Sequence, residues 1–418
     1  MKINREIRNV ILNRFLISLG ILLLIRLGTF LPVPGINHSD LAFYIQRHSV
    51  AKNLISTFTG DNIFVIGLFT LNIFPYINAT IFVQLLLGFS PKLAKLQKEG
   101  DFEGRRSISR LTRLLTLIWA IIQSIGISLY LRQVLFDWNI ILAGQIVLWL
   151  TTGAMIVLWL SELITDFGLG NGASLLIYTN ITSNLPNLLK KITIENSGNL
   201  TIFAIVEIIV LIAVSFYGMI FLQKATRRVP LLSSKQLNQP RSSSQDAVNG
   251  YLPLRFNQAG VMPIILTTTI LVVPNYLINL GIFQWLSAVT VLKSVSWIYW
   301  IGYFFLVLAF SLFYSSIVLN PKDMSDQLQK MSVTIPGVRP GLQTTFYLKS
   351  VIKRITLVGA TMLAILTVVP NFLESTLNVT GLNGLSTTSF LILAGVILDL
   401  MREIENICFS NAYNNRYQ

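Results

Sequence analysis

Charge is what this chain has least of. Only 12% of its 418 residues are Asp, Glu, Lys or Arg, against 53% hydrophobic, and mean hydropathy is +0.65. Soluble domains carry about twice that charged share. A membrane-embedded helical bundle is the class that fits. Cysteine is nearly absent: Cys408 stands alone, which excludes an internal disulfide and most cysteine-based metal sites. The two histidines, His38 and His48, fall in one polar loop, where solvated side chains are far commoner than ligands. No HExxH, GxSxG, P-loop or paired-carboxylate pattern occurs, so catalysis has no candidate residues and no cofactor is implied. Ionisable residues inside apolar runs are equally scarce. Only Arg26 and Glu207 lie well within them, with Asp399 near an end, whereas ion-coupled transporters bury charge along their route.

What the chain has in abundance is apolar runs. A bilayer core needs about 20 mainly apolar residues per helix. Scanning at that length gives residues 15–30, 61–90, 111–131, 140–160 and 169–189, then 200–222, 259–280, 298–319, 355–373 and 385–401. Ten spans put both ends on one face. The first run ends in Leu-Pro-Val-Pro-Gly without a small-residue cleavage site, so it reads as a span rather than a signal peptide, and no transit peptide is expected. Most of the 32 Lys and Arg fall on the face of the N-terminus, which makes that face cytoplasmic or stromal. The net charge of +14 therefore reads as topology, not as nucleic-acid binding.

Two loops on that face, 223–256 and 320–354, exceed what a connector requires and together carry twelve basic residues. Such charges always enforce orientation. Loops of this length also argue for a docking surface for a soluble partner. The segment QPRSSSQDAVNG within the first loop reads as a flexible tip.

The second run is awkward for lipid. Pro75 cuts it, and Asn72, Asn78, Thr80 and Gln84 are scattered through it. Polar or unwound backbone at membrane depth is tolerated only against protein or a water-filled cavity. Pro75 suits the first turn of a helix, so the pattern predicts a short half-helix, a break, and a second half-helix from Pro75 to Phe89. On this stretch alone a kinked packing helix is the favoured reading, and the rest of the chain is what shifts it. From Ile73, steps of four give Ile77 and Ile81 on one face.

Comparing halves sharpens the picture. Residues 1–190 hold five spans and 191–418 hold five more, so the halves run in opposite orientation, the arrangement of inverted repeats. Broken spans at matching positions are the pointer to the working site in such folds. Span two has Pro75-Tyr76-Ile77, and span seven has Pro263-Ile264-Ile265. Isoleucines and small polar groups along such a path could seal against ions by excluding water, yet part for an apolar or flexible substrate.

These pieces, in order, resemble the SecY family of protein-conducting channels: FLPVPGI, FPYINATIFVQLL, QKEGDFEGRR, LTLIWAIIQSIGI, GLGNGASLL, LPLRFNQAGVMPIIL, NPKDMSDQLQKMSVTIPGVRPG and RITLVGA. The resemblance runs from the first span to the last. It implies an all-α integral membrane protein of ten transmembrane helices, a clamshell of two inverted five-helix halves with an hourglass pore. It also implies a constriction at Ile73, Ile77, Ala173, Ile177, Ile265 and Ile392, the alanine departing from the usual bulky residue. Residues 55–70 match the family's plug. Spans two and seven become a lateral gate, with Thr80, Gln84 and Asn257 at its polar positions, where ordinary interhelical hydrogen bonding is an equal alternative. Arg339, in PGVRPG, matches the family's docking arginine, with Arg255 and Arg241 as companions.

The function so implied is the pore-forming subunit of a preprotein translocase, a passive channel and not an enzyme. The partners implied are the small membrane subunits SecE and SecG, the SecA motor or a ribosome, unfolded precursor proteins and membrane lipids. The alternative is a secondary transporter of a small solute, which inverted repeats would equally support but the missing buried charge and the two basic loops disfavour. An integral membrane enzyme has no catalytic constellation behind it. Ile- and Asn-rich usage with no transit peptide points to a plastid-encoded protein of the thylakoid membrane, with a bacterial plasma membrane as the alternative.

Overall fold

The structure, a computed structural model, describes residues 5–34, 66–89, 102–131, 139–195, 213–214, 216–233, 250–257, 260, 262–267, 296–377 and 387–417. In chain order the elements are α1 (Arg5–Thr29), α2 (Phe74–Phe89), α3 (Phe102–Leu131), α4 (Ile140–Phe167), α5 (Gly172–Glu195), β1 (Thr226–Pro230), β2 (Leu232–Ser233) and β3 (Tyr251–Arg255). They continue with α6 (Ser296–Val318), α7 (Pro321–Lys330), β4 (Val333–Thr334), α8 (Leu342–Leu377) and α9 (Thr387–Tyr417). Short helical stretches cover 216–224 and 262–267, overlapping the expected spans six and seven; apart from residues 213–214 and 260, the remainder of those two spans lies outside the described residues.

Among the described residues, five helices are long and apolar enough to cross a membrane. The helix α4 shows why. Ile146, Leu150, Ala154, Val157, Ser161 and Ile164 are buried at helical spacing. Leu148, Trp149, Ile156 and Trp159, on other faces, are large, apolar and exposed. A helix apolar all round belongs in a core or in lipid.

Several helices outrun the apolar stretches that announced them. The helix α3 begins at Phe102 rather than 111, α8 at Leu342 rather than 355, and α9 continues to Tyr417. Hydropathy detects only the part of a helix that needs lipid. The early turns of α8 are amphipathic instead, burying Leu348, Val351, Ile352 and Ile355 against protein.

The chain divides into two compact units: Met1–Glu195 with Val396–Gln418, and Asn196–Gly395. The expected division at 190/191 falls close to this boundary, but the chain from Val396 joins the first unit instead of the second. One cause is direct: Leu400 packs so closely over Gly170 that a Cβ there would collide with it.

In the first unit α2 packs on α3, α3 on α4, and α4 on both α1 and α5. Arg113 of α3 also pairs with Glu162 of α4 at 2.8 Å, a bridge exposed enough to contribute little. The chain ahead of α2 departs from expectation. Residues 61–65 of the first half-helix lie outside the described residues, and 66–73 is a run of turns, not a helix. The Thr70 hydroxyl donates to the Gly67 carbonyl at 2.7 Å, and Asn72 adopts a left-handed φ of 45°. Few residues other than glycine tolerate that conformation, asparagine among them. The run is pinned to the end of α1 by a short antiparallel bridge: Val33 N to Ile66 O at 3.0 Å and Leu68 N to Leu31 O at 2.8 Å.

In the second unit α6 packs on α8. Met219, Leu222, Ile264, Tyr303, Val307, Leu363, Ala364 and Ala394 form the core. The two long loops fold together rather than apart. Strands β1 and β3 pair antiparallel, with Thr226 opposite Arg255 and Pro230 opposite Tyr251. Strand β2 of the first loop pairs with β4 of the second, Leu232 opposite Thr334. A shared core of Val229, Leu254, Leu328, Ile335, Leu348, Val351, Ile352 and Ile355 lies beneath them. The expected flexible tip at 239–250 lies outside the described residues except for Gly250.

Candidate functional site

The first-unit part of the expected constriction is built at two helix starts. Ile73 is the last turn residue before α2, and the Ile77 amide donates to its carbonyl at 3.1 Å. Pro75 lies in the first turn, where its missing N–H leaves nothing unsatisfied. Ile73 and Ile77 therefore sit one turn apart on one face, both buried, and Ile81 repeats the step.

Ala173 and Ile177 occupy the first two turns of α5, both half-buried. That helix starts where it does because of the Gly-Leu-Gly-Asn-Gly turn. The Asn171 side chain caps it by accepting from the Ala173 amide at 3.0 Å. Thr165 donates to the Ser161 carbonyl and accepts from the Gly172 amide, each at 3.0 Å. The Gly172 backbone lies against the Ser161 carbonyl too closely for any side chain. The Leu169 amide donates to the Ser18 hydroxyl at 2.8 Å, tying the turn to α1. Helix α5 is thus held at its first turn from α1 and from α4.

A side-chain bridge joins the two helix starts. Asn72 Nδ2 donates to Asn180 Oδ1 at 2.9 Å. Asn72 is only 3% exposed, and its Oδ1 accepts no hydrogen bond among the described residues. Asn72 stands out in the sequence as a polar residue in an apolar run, whereas nothing in the sequence marks Asn180. For Asn72 the signal was there: an asparagine beside a proline-started helix is a natural left-handed residue.

In the second unit, Ile265 lies half-buried on 262–267, between the buried Ile264 and Leu266. The Thr267 hydroxyl donates to the Pro263 carbonyl at 2.8 Å. Thr80 does the same to the Ile77 carbonyl at 2.8 Å. Ile392 is half-buried near the start of α9. Of the expected gate residues, Thr80 is satisfied within its own helix and Asn257 within its own turn, donating to the Gly260 carbonyl at 2.9 Å. Gln84 is half-buried on α2. Of the expected plug, only residues 66–70 are described, as the turns noted above.

Arg339 is displayed by a rigid frame. The Val338 amide donates to the Ile335 carbonyl at 3.1 Å, closing a turn with Gly337 at φ 78°. The buried Thr344 hydroxyl then donates to the Arg339 carbonyl at 2.9 Å. Held at its backbone, the side chain stands exposed. Arg255 is exposed at the end of β3, and Arg228 stacks over Tyr251 at 4.9 Å on the same ribbon. Both belong to the loop module that carries Arg339. Arg241 lies outside the described residues.

Comparison with known proteins gives a consistent result. A family model described as SecY matches residues 67–401. A protein translocase subunit SecY of Trieres chinensis is 58% identical over 98% of this chain and 98% of its own length. That of Guillardia theta is 41% identical over 96% of each. Among solved structures, one on the SecY plug domain and the closed state of the channel matches with a TM-score of 0.65 at 16% identity. That match covers 95% of this chain and 92% of the other. At that identity the likeness carries the fold alone, an all-α membrane architecture.

Proposed function

The chain belongs to the SecY family, and from that premise we propose how its residues work. It is the pore-forming subunit of a protein translocase, a passive channel for unfolded proteins, and a multi-pass integral membrane protein of a thylakoid or plasma membrane. We read it as a channel subunit and not an enzyme. Ile73, Ile77, Ala173, Ile177, Ile265 and Ile392 form the constriction. Aliphatic side chains there disfavour water, and an ion without its hydration cannot cross. Their lack of directional bonds lets them part around a polypeptide of any sequence. Residues 55–70 plug the idle pore. Spans two and seven open sideways to release membrane segments, with Thr80, Gln84 and Asn257 at the seam. The rigid display of Arg339, with Arg255 and Arg241, grips an acidic surface on a SecA motor or a ribosome, and SecE and SecG complete the membrane complex. The plastid thylakoid is the compartment we favour.

The observation that supports this most is the pair Ile73 and Ile77, one turn apart at a proline-started helix whose start is hydrogen-bonded through Asn72 to Asn180 of α5, the helix of Ala173 and Ile177. The lone cysteine makes the test clean. With Cys408→Ser in place, a cysteine at position 77 should form a disulfide to a cysteine-bearing precursor stalled part-way across. A control cysteine at position 148, where Leu148 is 65% exposed on α4, should not. Equal reactivity at the two positions during active translocation would remove Ile77 from the path.

A further inference from the structure

We propose that the Asn72–Asn180 hydrogen bond is a latch that sets the idle width of the constriction. The inference rests on the constriction assigned above and adds two residues that the assignment does not contain. Three observations carry it.

The first is position. Asn72 directly precedes Ile73 in the chain. Along α5, steps of four and three lead from Ala173 to Ile177 to Asn180, so all three share one face. The bond at 2.9 Å therefore joins the turn residue next to Ile73, at the start of α2, to the α5 face that carries Ala173 and Ile177.

The second is conformation. Asn72 holds φ 45°, and its side chain is buried. A glycine would satisfy that backbone with less strain. What asparagine adds is the donor that reaches Asn180.

The third is incompleteness. Asn72 Oδ1 is buried and accepts no hydrogen bond among the described residues. A structural asparagine at the centre of a packed network would have both ends satisfied. Among the described residues a single bond holds the side chain and the other end accepts none, so little opposes release. Ala173 gives the latch its purpose. With no bulky side chain at that position, the idle seal depends on how closely α2 approaches α5, and the bond fixes that approach.

The test uses the purified translocase complex containing this chain, reconstituted in liposomes without precursor, and reads ion flux per assembled complex. Asn72→Gly suits the left-handed backbone and removes the bond without stranding a donor, whereas Asn180→Ala suits a helix interior but strands the buried Asn72 amide, so flux is read per folded, assembled complex. Each should raise idle flux about fivefold, the shift in a closed–open equilibrium that loss of one hydrogen bond produces. The double variant should leak no more than either single one, because both remove the same bond. Precursor translocation per complex should stay at the native level. Ile77→Ala serves as the reference for the ring itself. If Ile77→Ala leaks and neither asparagine variant does, the latch is wrong and the ring stands. If Ile77→Ala does not leak, the ring assignment fails and the latch with it. Effects that multiply in the double variant, or a fall in translocation parallel to the leak, would also overturn the latch in favour of general loosening.

Discussion

The hydroxyl of Ser18 accepts a hydrogen bond from the Leu169 amide at 2.8 Å while donating to the Arg14 carbonyl at 2.9 Å. One side chain, 5% exposed, thereby joins α1 to the turn that launches α5. Ser18→Ala strands a buried amide and should cost about 1–3 kcal/mol. Ser18→Thr keeps the hydroxyl and should cost less. Thermal unfolding of the detergent-solubilised complex measures both. If Ser18→Ala matches wild type, the α5 start does not depend on α1.

A second prediction concerns the loop module. Leu348 is fully buried where β3, α7 and α8 meet, while Phe346, two residues away, is 69% exposed. Leu348→Ala should destabilise by about 2–5 kcal/mol and Phe346→Ala by little. Because both loops share this core, Leu348→Ala should expose the β1–β3 ribbon and the 331–341 turn to protease together. Cleavage of one loop with the other intact would show that they fold independently.

That coupling marks the limit of what the sequence disclosed. Apolar runs gave the membrane class, because lipid acts residue by residue. The motif residues around Pro75, Gly172 and Pro263 gave the places where helices start, because proline and glycine act locally. The β2–β4 pairing of Leu232 with Thr334 joins residues about a hundred positions apart, and two-residue strands leave no alternation to detect. The same holds for Asn72 and Asn180, whose bond is decided by how α2 and α5 lie. Helix length was misjudged at α3 and α8 for a different reason. Their early turns carry charge, exposed in α3 and amphipathic against protein in α8, and a search for apolar runs discards them.

Docking through Arg339 gives a third prediction. Arg339→Ala should weaken binding of a SecA motor or ribosome roughly tenfold or more, in keeping with loss of hydrogen bonds to a charged group. Arg339→Lys should restore only part, since a lysine lacks the planar fork. Thr344→Val leaves the arginine present but frees its carbonyl, and should give an intermediate loss. Equilibrium binding at two salt concentrations reads all three, the arginine contribution shrinking as salt rises. An unaltered Arg339→Ala complex would move docking from this turn to another part of the loop module.

The final prediction contrasts two glycines of one helix. In α4, Gly153 lies so close to the Leu68 carbonyl that a Cβ would collide with backbone, whereas a Cβ on Gly144 meets nothing within 4 Å. Gly153→Ala must push the 66–73 turns away from α4. The carbonyl cannot rotate aside as a side chain would, and the turns are also tied to α1 through Leu31 and Val33. Gly144→Ala adds a methyl to an open face and removes backbone freedom from the unfolded chain, which favours the helix by up to about 1 kcal/mol. The two substitutions, chemically identical, should therefore shift the unfolding temperature in opposite directions. Gly153→Ala should also raise idle ion flux, because the displaced turns carry Asn72 and Ile73. If Gly153→Ala destabilised the complex but left the seal intact, the turns ahead of α2 would serve folding without setting the pore.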